Sequence, residues 1–246
     1  DLRGAGRVKR ATLEALLAAR DERATCIRLV WLADGRERLV ASAEALAATG
    51  DATDSDPRLV AAVEEAIVSG RGQLVELDGE AIFVHPFAPR PRLVIVGAVH
   101  IAQHLAVLAR DLGYGVTVVD PRQGFLTKAR FPGTNLDHAW PEEALARHGL
   151  DARCAVVTLS HDPKIDEPAL VSALRAPCFY IGALGSRRTQ AKRRGRLAEA
   201  GLDEAALARI HGPVGLDIGA RSPAEIAVSI AAEMTACLRG RAPARG

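Results

Sequence analysis

The sequence has few aromatic residues: phenylalanine, tryptophan and tyrosine together make up 4% of its 246 residues. Proteins that bind single-stranded nucleic acid by base stacking depend on such side chains. An excess of one charge is also missing, because 32 lysine and arginine residues nearly balance 30 aspartate and glutamate residues, for a formal net charge of +2. This composition predicts that the protein has no nucleic-acid partner.

Long apolar runs and paired cysteines are absent as well. No stretch approaches the roughly 20 apolar residues of a membrane-spanning helix, so we expect no membrane association. The cysteines are far apart in apolar runs and form no C-x-x-C pair, which argues against a disulfide framework or a zinc site; they are Cys26, Cys154, Cys178 and Cys237. The first residues lack the apolar segment of a secretory signal. We therefore expect a cytoplasmic protein with reduced, buried thiols, and we assign no metal site.

Residues 1–88 have the pattern of a small α+β domain. Short apolar strands flank two hairpin turn signals, Asp34-Gly35 and Asp78-Gly79. Three prolines follow within residues 86–91. Because proline cannot continue a helix or a central strand, we interpret this segment as a linker and place the domain boundary after residue 88.

Residues 89–240 predict a Rossmann-like domain. Continuous apolar stretches, typical of strands buried on both faces, alternate with helical stretches; they lie at 93–97, 116–119, 154–159 and 178–181. Ser222, Pro223 and Glu225 combine the cap, first-turn proline and capping-box signals of a helix start. The predicted fold class is α/β, with a doubly wound parallel sheet and a small α+β N-terminal domain.

The first strand of this sheet ends in a glycine turn that resembles a dinucleotide-binding fingerprint. Gly97 follows the strand and His100 opens the next helix. Asp120 comes 23 residues after Gly97, where a ribose-binding carboxylate would lie. However, Val99 stands where the fingerprint has its second glycine, and its side chain would obstruct a pyrophosphate. NAD(P) binding and a purely structural turn both remain open.

Two side chains after the third strand could serve in acid–base chemistry or bind a metal. They are His161 and Asp162, which follow the carboxyl end of the strand, where open α/β sheets bind ligands. The alternative is that Ser160 or Asp162 caps a turn and that Asp166 caps the next helix. No catalytic residue is assigned beyond these two candidates.

An anion site is predicted where the fourth strand leads into a basic helix. Gly182 and Gly185 are followed by a helix cap, Ser186, and by Arg187 and Arg188. Free backbone N–H groups at a helix start, with arginines beside them, bind phosphate-type anions.

Two further features accompany this site. The rest of the basic run is expected to form a solvated helix face; it comprises Lys192, Arg193, Arg194 and Arg196. A glycine-rich loop before the last helix contains Gly215 and Asp217. Its backbone could approach a ligand closely, or it could be a tight connector. We treat these two residues as candidate cofactor-binding residues.

Four segments taken together resemble the XdhC/CoxI family of accessory proteins for xanthine dehydrogenase, carbon monoxide dehydrogenase and other molybdenum hydroxylases. In chain order they read VIVGAVHIAQHLA, TLSHDPKID, YIGALGSRRT and HGPVGLDIGARSPAEIAVSIAAE. The resemblance covers about residues 90–238.

The resemblance implies a chaperone and not the dehydrogenase itself. Such a protein binds molybdenum cofactor, helps it to acquire its terminal sulfur and delivers it to the apo-enzyme. On this basis the segment 182–188 would hold the phosphate of the cofactor, and His161 and Asp162 would face its pterin. The implied partners are a molybdenum hydroxylase apo-enzyme and either a cysteine desulfurase or a separate XdhC/CoxI N-domain protein. A homodimer is also compatible with the sequence.

Two departures from the family pattern limit this transfer. The Ser-x-Pro-Arg and Gly-Gly-Cys-Glu-like segments of the family's N-terminal domain are missing from residues 1–85, and Cys26 lacks flanking glycines. The family's candidate molybdenum-ligating cysteine is therefore not assigned here. Val99 replaces the second glycine of the fingerprint. Two alternatives stay open: a scaffold that recruits the target enzyme for a cysteine-bearing partner, and an NAD(P)-binding oxidoreductase.

Overall fold

A computed structural model describes residues 8–241 of the chain. The chain divides into two compact units, of which the first ends at Pro89 and the second begins at Arg90. Within the described residues, no helix has the length and apolar character needed to cross a lipid bilayer.

The first unit is a four-stranded antiparallel sheet covered by helices. Its elements are α1 (Arg10–Asp21), β1 (Cys26–Trp31), β2 (Glu37–Val40), α2 (Ala43–Ala47), α3 (Pro57–Ser69), β3 (Gln73–Leu77) and β4 (Glu80–Phe87). The strand order is β2-β1-β4-β3. Its core packs Leu59 and Val63 of α3 against Ile82 and Val84 of β4 and their neighbours.

One expectation fails in this unit. Pro86, interpreted as part of a linker, lies inside β4 and is opposite Ile27 of β1. The pairing of β4 with β3 ends at Val84, so β4 has a partner on only one side at position 86. A proline, which cannot donate a backbone hydrogen bond, is tolerated at such a strand end.

The second unit is a six-stranded parallel sheet with helices on both faces. Its elements are β5 (Arg92–Val96), α4 (His100–Asp111), β6 (Gly115–Val119), β7 (Asn135–Asp137), α5 (Pro141–His148), β8 (Cys154–Thr158), α6 (Pro163–Leu174), β9 (Tyr180–Ala183), α7 (Arg187–Glu199), α8 (Glu204–Ala208), β10 (Ile210–His211) and α9 (Pro223–Leu238). The strand order is β10-β9-β8-β5-β6-β7, which is the Rossmann order with β5 as its first strand. The predicted fold class is confirmed.

Two apolar cores lie on opposite faces of this sheet because successive strand residues point to opposite sides. Leu93 and Ile95 of β5 pack with α4 and α9. Val94 and Val96 pack with α5, α6 and α7. The helices thereby fix the carboxyl ends of the strands, where the candidate site residues lie.

Candidate functional site

The strand order reverses between β5 and β8, and ligands of open α/β sheets bind at such a switch point. Gly97 follows β5 with a φ of 106°, a conformation that residues with a side chain rarely adopt. A Cβ at this position would lie 2.6 Å from the backbone nitrogen of Ser160, which follows β8. Glycine is therefore required here by the close contact of two loops.

Asp120, at the carboxyl end of β6, is fully buried and its carboxylate is used within the chain. Its Oδ2 accepts hydrogen bonds from the Ala98 backbone N–H (2.7 Å) and from the Arg122 guanidinium (2.8 Å). Its Oδ1 accepts from the backbone N–H and the Nε–H of Arg122 (3.0 and 2.9 Å). These contacts fill the roughly four acceptor positions of a carboxylate, so none is left for a ribose hydroxyl.

The pKa of Asp120 reflects these contacts. Burial alone would raise the pKa, but the hydrogen bonds from Arg122 and Ala98 outweigh burial and lower it. Val99 is the N-cap of α4 and its side chain makes no capping bond, while the His100 side chain is exposed at the start of the helix. The turn after β5 is thus stabilised by contacts within the chain.

The two candidate acid–base residues in the loop after β8 differ in their contacts and exposure. Asp162 is the N-cap of α6, because its Oδ1 accepts the N–H of Lys164 at 3.0 Å. His161 is exposed and has a φ of 62°. The capping interpretation of Asp162 therefore describes its contacts, whereas the capping role expected for Asp166 belongs to Asp162 instead.

Behind this loop lies a buried polar cluster that the sequence did not predict. Asp166 is fully buried, and its Oδ1 accepts from the N–H (3.2 Å) and the hydroxyl (2.7 Å) of Ser160. Its Oδ2 lies 3.6 Å from Nη2 of Arg193. Burial raises the pKa of Asp166 despite these partners.

The expectation that Arg193 belongs to a solvated face is wrong. Its side chain is 4% exposed and donates to the Gln190 side chain (2.7 Å) and to the Leu184 carbonyl (3.1 Å). Gln190 and Arg193 are three residues apart, so they share the inward face of α7. Arg193 therefore holds the backbone just after β9 from inside the protein.

The start of α7 has the predicted form. Ser186 is the N-cap, and its Oγ accepts the N–H of Thr189 at 3.3 Å. Arg187 and Arg188 occupy the first two positions, and the first turn, 187–190, contains no acidic residue. The helix dipole makes this N-terminus partly positive, so positive side chains beside it are repelled by it. A bound anion would relieve that repulsion, and the site therefore favours an anion.

Gly182 and Gly215, two predicted cofactor-binding residues, have packing roles. A Cβ on Gly182, inside β9, would lie 2.6 Å from the Val214 side chain and 2.8 Å from the Tyr180 ring. Gly215 has a φ of 90°, and a Cβ there would overlap the Ser229 hydroxyl. Both glycines allow the loop after β10 to lie against β9 and α9. Gly185 has a φ of 137° at the turn into α7.

A cavity of about 550 Å³ lies between this loop, the start of α7 and α9. That size is within the range of small-molecule sites. Three of the predicted site residues line it: Arg187, Gly215 and Asp217. The other predicted residues do not line this cavity. They lie after β5, β6 and β8, inside β9, or, for Gly185, Ser186 and Arg188, at the start of α7 beside the cavity.

Glu233 of α9 also lines the cavity and was not among the predicted site residues. It is 3% exposed, and its Oε2 accepts from the Tyr180 hydroxyl (2.6 Å) and the Gly215 N–H (2.8 Å). Its Oε1 lies 2.9 Å from Nδ1 of His211. Burial favours a raised pKa, but the hydrogen bonds from His211 and Tyr180 outweigh it and lower the pKa of Glu233. The sequence offered one sign of this residue: Glu233 is a charged residue among the apolar residues of α9, seven positions after Ile226.

Residues 8–241 contain no cluster of metal-binding side chains. In that part of the chain, no three histidine, cysteine or carboxylate side chains come together in a group that could hold a metal ion.

Comparison with known proteins identifies a family and several relatives of this chain. A family model described as the XdhC Rossmann domain matches residues 93–234. "Uncharacterized protein YqeB" from Escherichia coli (strain K12) is 37% identical over 155 residues, which are 63% of this chain and 28% of YqeB. A probable xanthine dehydrogenase component from Bacillus subtilis (strain 168) is 35% identical over 155 residues, 62% of this chain and 44% of that protein.

A third relative, "Molybdenum cofactor insertion chaperone PaoD" from Escherichia coli (strain K12), is 34% identical over 148 residues, 60% of this chain and 40% of PaoD. The matched regions thus span between 28% and 44% of these relatives. A crystal structure of a xanthine dehydrogenase from Bacillus halodurans has a TM-score of 0.65 and 21% identity, covering 95% of this chain and 65% of that one. This structural likeness shows a shared fold. The family model covers more than half of the chain, so the predicted resemblance is confirmed and the chain belongs to the XdhC family through its Rossmann domain.

Proposed function

We propose that this chain is an accessory protein in the maturation of a molybdenum hydroxylase of the xanthine or carbon monoxide dehydrogenase type, and that it binds molybdenum cofactor as its cargo. The observation that carries the proposal is the cavity of about 550 Å³ between the N-terminus of α7 and the loop after β10. The names of PaoD and of the Bacillus subtilis relative support the same pathway.

The lining of the cavity suits the two ends of this cargo. Molybdenum cofactor carries a phosphate, and its pterin ring presents N–H donors. Arg187 and the first-turn N–H groups of α7 supply positive charge for a phosphate. The exposed carboxylate of Asp217 can accept hydrogen bonds from pterin N–H groups. These residues would hold and orient the cargo.

The remaining parts of the proposal concern partners. The cargo would pass to a molybdenum hydroxylase apo-enzyme in the cytoplasm, and assistance with sulfuration would involve a cysteine desulfurase or a separate cysteine-bearing XdhC/CoxI-like protein.

His161, exposed at the end of β8, stays a candidate for contact with the pterin. NAD(P) is the less suitable ligand, because the carboxylate of Asp120 is fully engaged within the chain.

The test is to purify the full chain from a host that makes molybdenum cofactor, denature it and measure the released pterin by the fluorescence of its oxidised form. Mass spectrometry of the same release detects nucleotides. The wild type should release pterin, and Arg187→Ala should retain at least about tenfold less, because a charge-assisted hydrogen bond contributes about 1.5–3 kcal/mol.

Arg188→Ala is the matched control. It removes the same charge from the same helical turn, but Arg188 does not line the cavity, so the retained pterin should stay near the wild-type amount. Release of NAD(P) without pterin would overturn the proposal in favour of an oxidoreductase. Equal losses in the two variants would show that net charge, and not the cavity, retains the pterin.

A further inference from the structure

Cys237 lies one helical turn beyond Glu233 on α9 and faces the His211 ring. Its Sγ is 3.9 Å from Nε2 of His211, and Nδ1 of the same ring is 2.9 Å from Oε1 of Glu233. A thiol, an imidazole and a carboxylate therefore follow one another in a hydrogen-bonded chain. Glu233 also lines the cavity that would hold the proposed cargo, whereas His211 and Cys237 do not line it.

This order of groups is the one that activates a nucleophile. With Nδ1 donating to the carboxylate of Glu233, Nε2 of the same ring is the atom that faces the thiol and can accept its proton. Glu233 is itself held by the Tyr180 hydroxyl (2.6 Å) and the Gly215 N–H (2.8 Å). The Tyr180 ring also packs on the His211 ring, with 4.6 Å between centroids. The imidazole is thus fixed in orientation.

The other three cysteines provide an internal comparison. Cys237 is partly exposed, whereas Cys26, Cys154 and Cys178 are buried. Burial raises the pKa of the Cys178 thiol to about 12 and also raises the pKa values of Cys26 and Cys154. A reagent in solution should therefore distinguish Cys237 from the other thiols by rate.

We propose that Cys237 is a nucleophilic thiol that exchanges with low-molecular-weight disulfides of the glutathione type. The sulfur of Cys237 attacks one sulfur of the disulfide R–S–S–R, and the thiol proton passes to Nε2 of His211. The R–S–S–R bond breaks as the bond between Cys237 and one R–S group forms. The second R–S group leaves with the electron pair as a thiolate and takes up the proton from His211. The small disulfide is the oxidant, and the products are a mixed disulfide and one thiol.

Three ionisable groups that the structure describes near Cys237 do not titrate near neutral pH: Tyr114, Tyr180 and Glu233. Tyr114 and Tyr180 both interact electrostatically with Cys237, and Arg239, just after α9, interacts with Tyr114. Burial raises the pKa of Tyr114 to about 12 and that of Tyr180 well above its usual value. Glu233 has a lowered pKa and is ionised. These three groups therefore keep one protonation state in the pH range of a thiol-reactivity assay.

The experiment treats the full chain with 5,5′-dithiobis(2-nitrobenzoate) at neutral pH, follows the released thiolate by absorbance and maps the modified peptide by mass spectrometry. One fast equivalent per chain at Cys237 is expected. His211→Gln should slow it at least about tenfold, because general-base assistance typically contributes a hundredfold or more. The difference in rate between the wild type and His211→Gln should disappear at a high pH, where the thiol loses its proton to the solvent. Oxidised glutathione should then give the mixed disulfide at the same residue.

Cys237→Ser should abolish the fast phase and Cys178→Ser should leave it unchanged. A fast phase that survives in Cys237→Ser, or an unaltered rate in folded His211→Gln, overturns the proposal. If His211→Gln does not fold, the wild-type rate is compared with that of an unstructured peptide of residues 231–241. A wild-type rate at or below that of the peptide overturns the proposal, and a rate at least about tenfold above it supports the proposal.

Discussion

The close backbone contact at Gly97 predicts that this glycine cannot be replaced without a loss of stability. Gly97→Ala should lower the free energy of unfolding by about 2–6 kcal/mol, because a positive φ and an overpacked contact with Ser160 each cost about 1–3 kcal/mol. Denaturation in urea measures the change. Gly115→Ala is the control, since the nearest atom to its added Cβ would be 3.8 Å away in Arg92. We expect a loss below about 1 kcal/mol there; equal losses would contradict the assigned contact.

Asp120 gives a prediction about acid stability. Its pKa is lowered in the folded protein, so its ionised contacts stabilise the fold above the unfolded pKa of about 3.9. That stabilisation is lost as the pH falls through the lowered folded pKa. Asp120→Asn should therefore be less stable than the wild type at neutral pH and less sensitive to acid below about pH 4. Denaturation curves at several pH values test this, and parallel pH profiles for the two proteins would contradict it.

At the scale of elements, the capping box of α9 is the strongest local signal in the chain. The Ser222 hydroxyl accepts the N–H of Glu225, and the Glu225 carboxylate accepts the N–H of Ser222. Ser222→Ala should lower the free energy of unfolding by about 0.5–2 kcal/mol, whereas Ser222→Asp, which keeps an acceptor, should restore most of it. Thermal denaturation of the three proteins provides the measurement. An Ala variant as stable as the wild type would mean that packing alone positions this helix.

Elements with their own periodic or capping signals could be predicted from the sequence, and short ones could not. The helix α9 and the apolar strands β5 and β8 are close to their predicted bounds. By contrast, α2, α8, β7 and β10 were not predicted, because they have two to five residues and too few turns or alternations for a pattern. The helix α6 begins at Pro163 with Asp162 as its cap, four residues before the cap expected at Asp166. Proline is favoured in the first turn of a helix, so the pair Asp162-Pro163 is the local signal for this start.

The candidate site also has a part that the sequence could predict and a part that it could not. The Ser186 cap and the two arginines after it are neighbours in sequence, so local reasoning could identify them. The contacts of Glu233 join residues 22 and 53 positions away, His211 and Tyr180. They depend on which strands are adjacent, and no local pattern encodes strand order. Arg193 was misplaced for a related reason: a run of basic residues shows charge, but not which side of the helix meets the sheet.

At the scale of the molecule, the Rossmann unit contains its own cores. Both clusters on the two faces of its sheet consist of residues after Arg90. We expect residues 90–246 produced alone to unfold in one cooperative transition. Leu105→Ala, which truncates a fully buried side chain of α4, should lower the free energy of unfolding by about 2–5 kcal/mol in this fragment and in the full chain. Circular dichroism during heating is the measurement, and a fragment without a cooperative transition would contradict the prediction.

Glu233 belongs to two neighbourhoods of that unit at once. One carboxylate oxygen holds the Gly215 N–H in the loop that lines the cavity, and the other holds the His211 ring that faces Cys237. A ligand that competes for this carboxylate would weaken the support of the imidazole. A modified Cys237 that shifts the imidazole would in turn change how firmly the carboxylate holds the loop. Thermodynamic reciprocity requires the two effects on binding to be equal in size, so cavity occupancy and thiol state would regulate each other without any movement of the sheet.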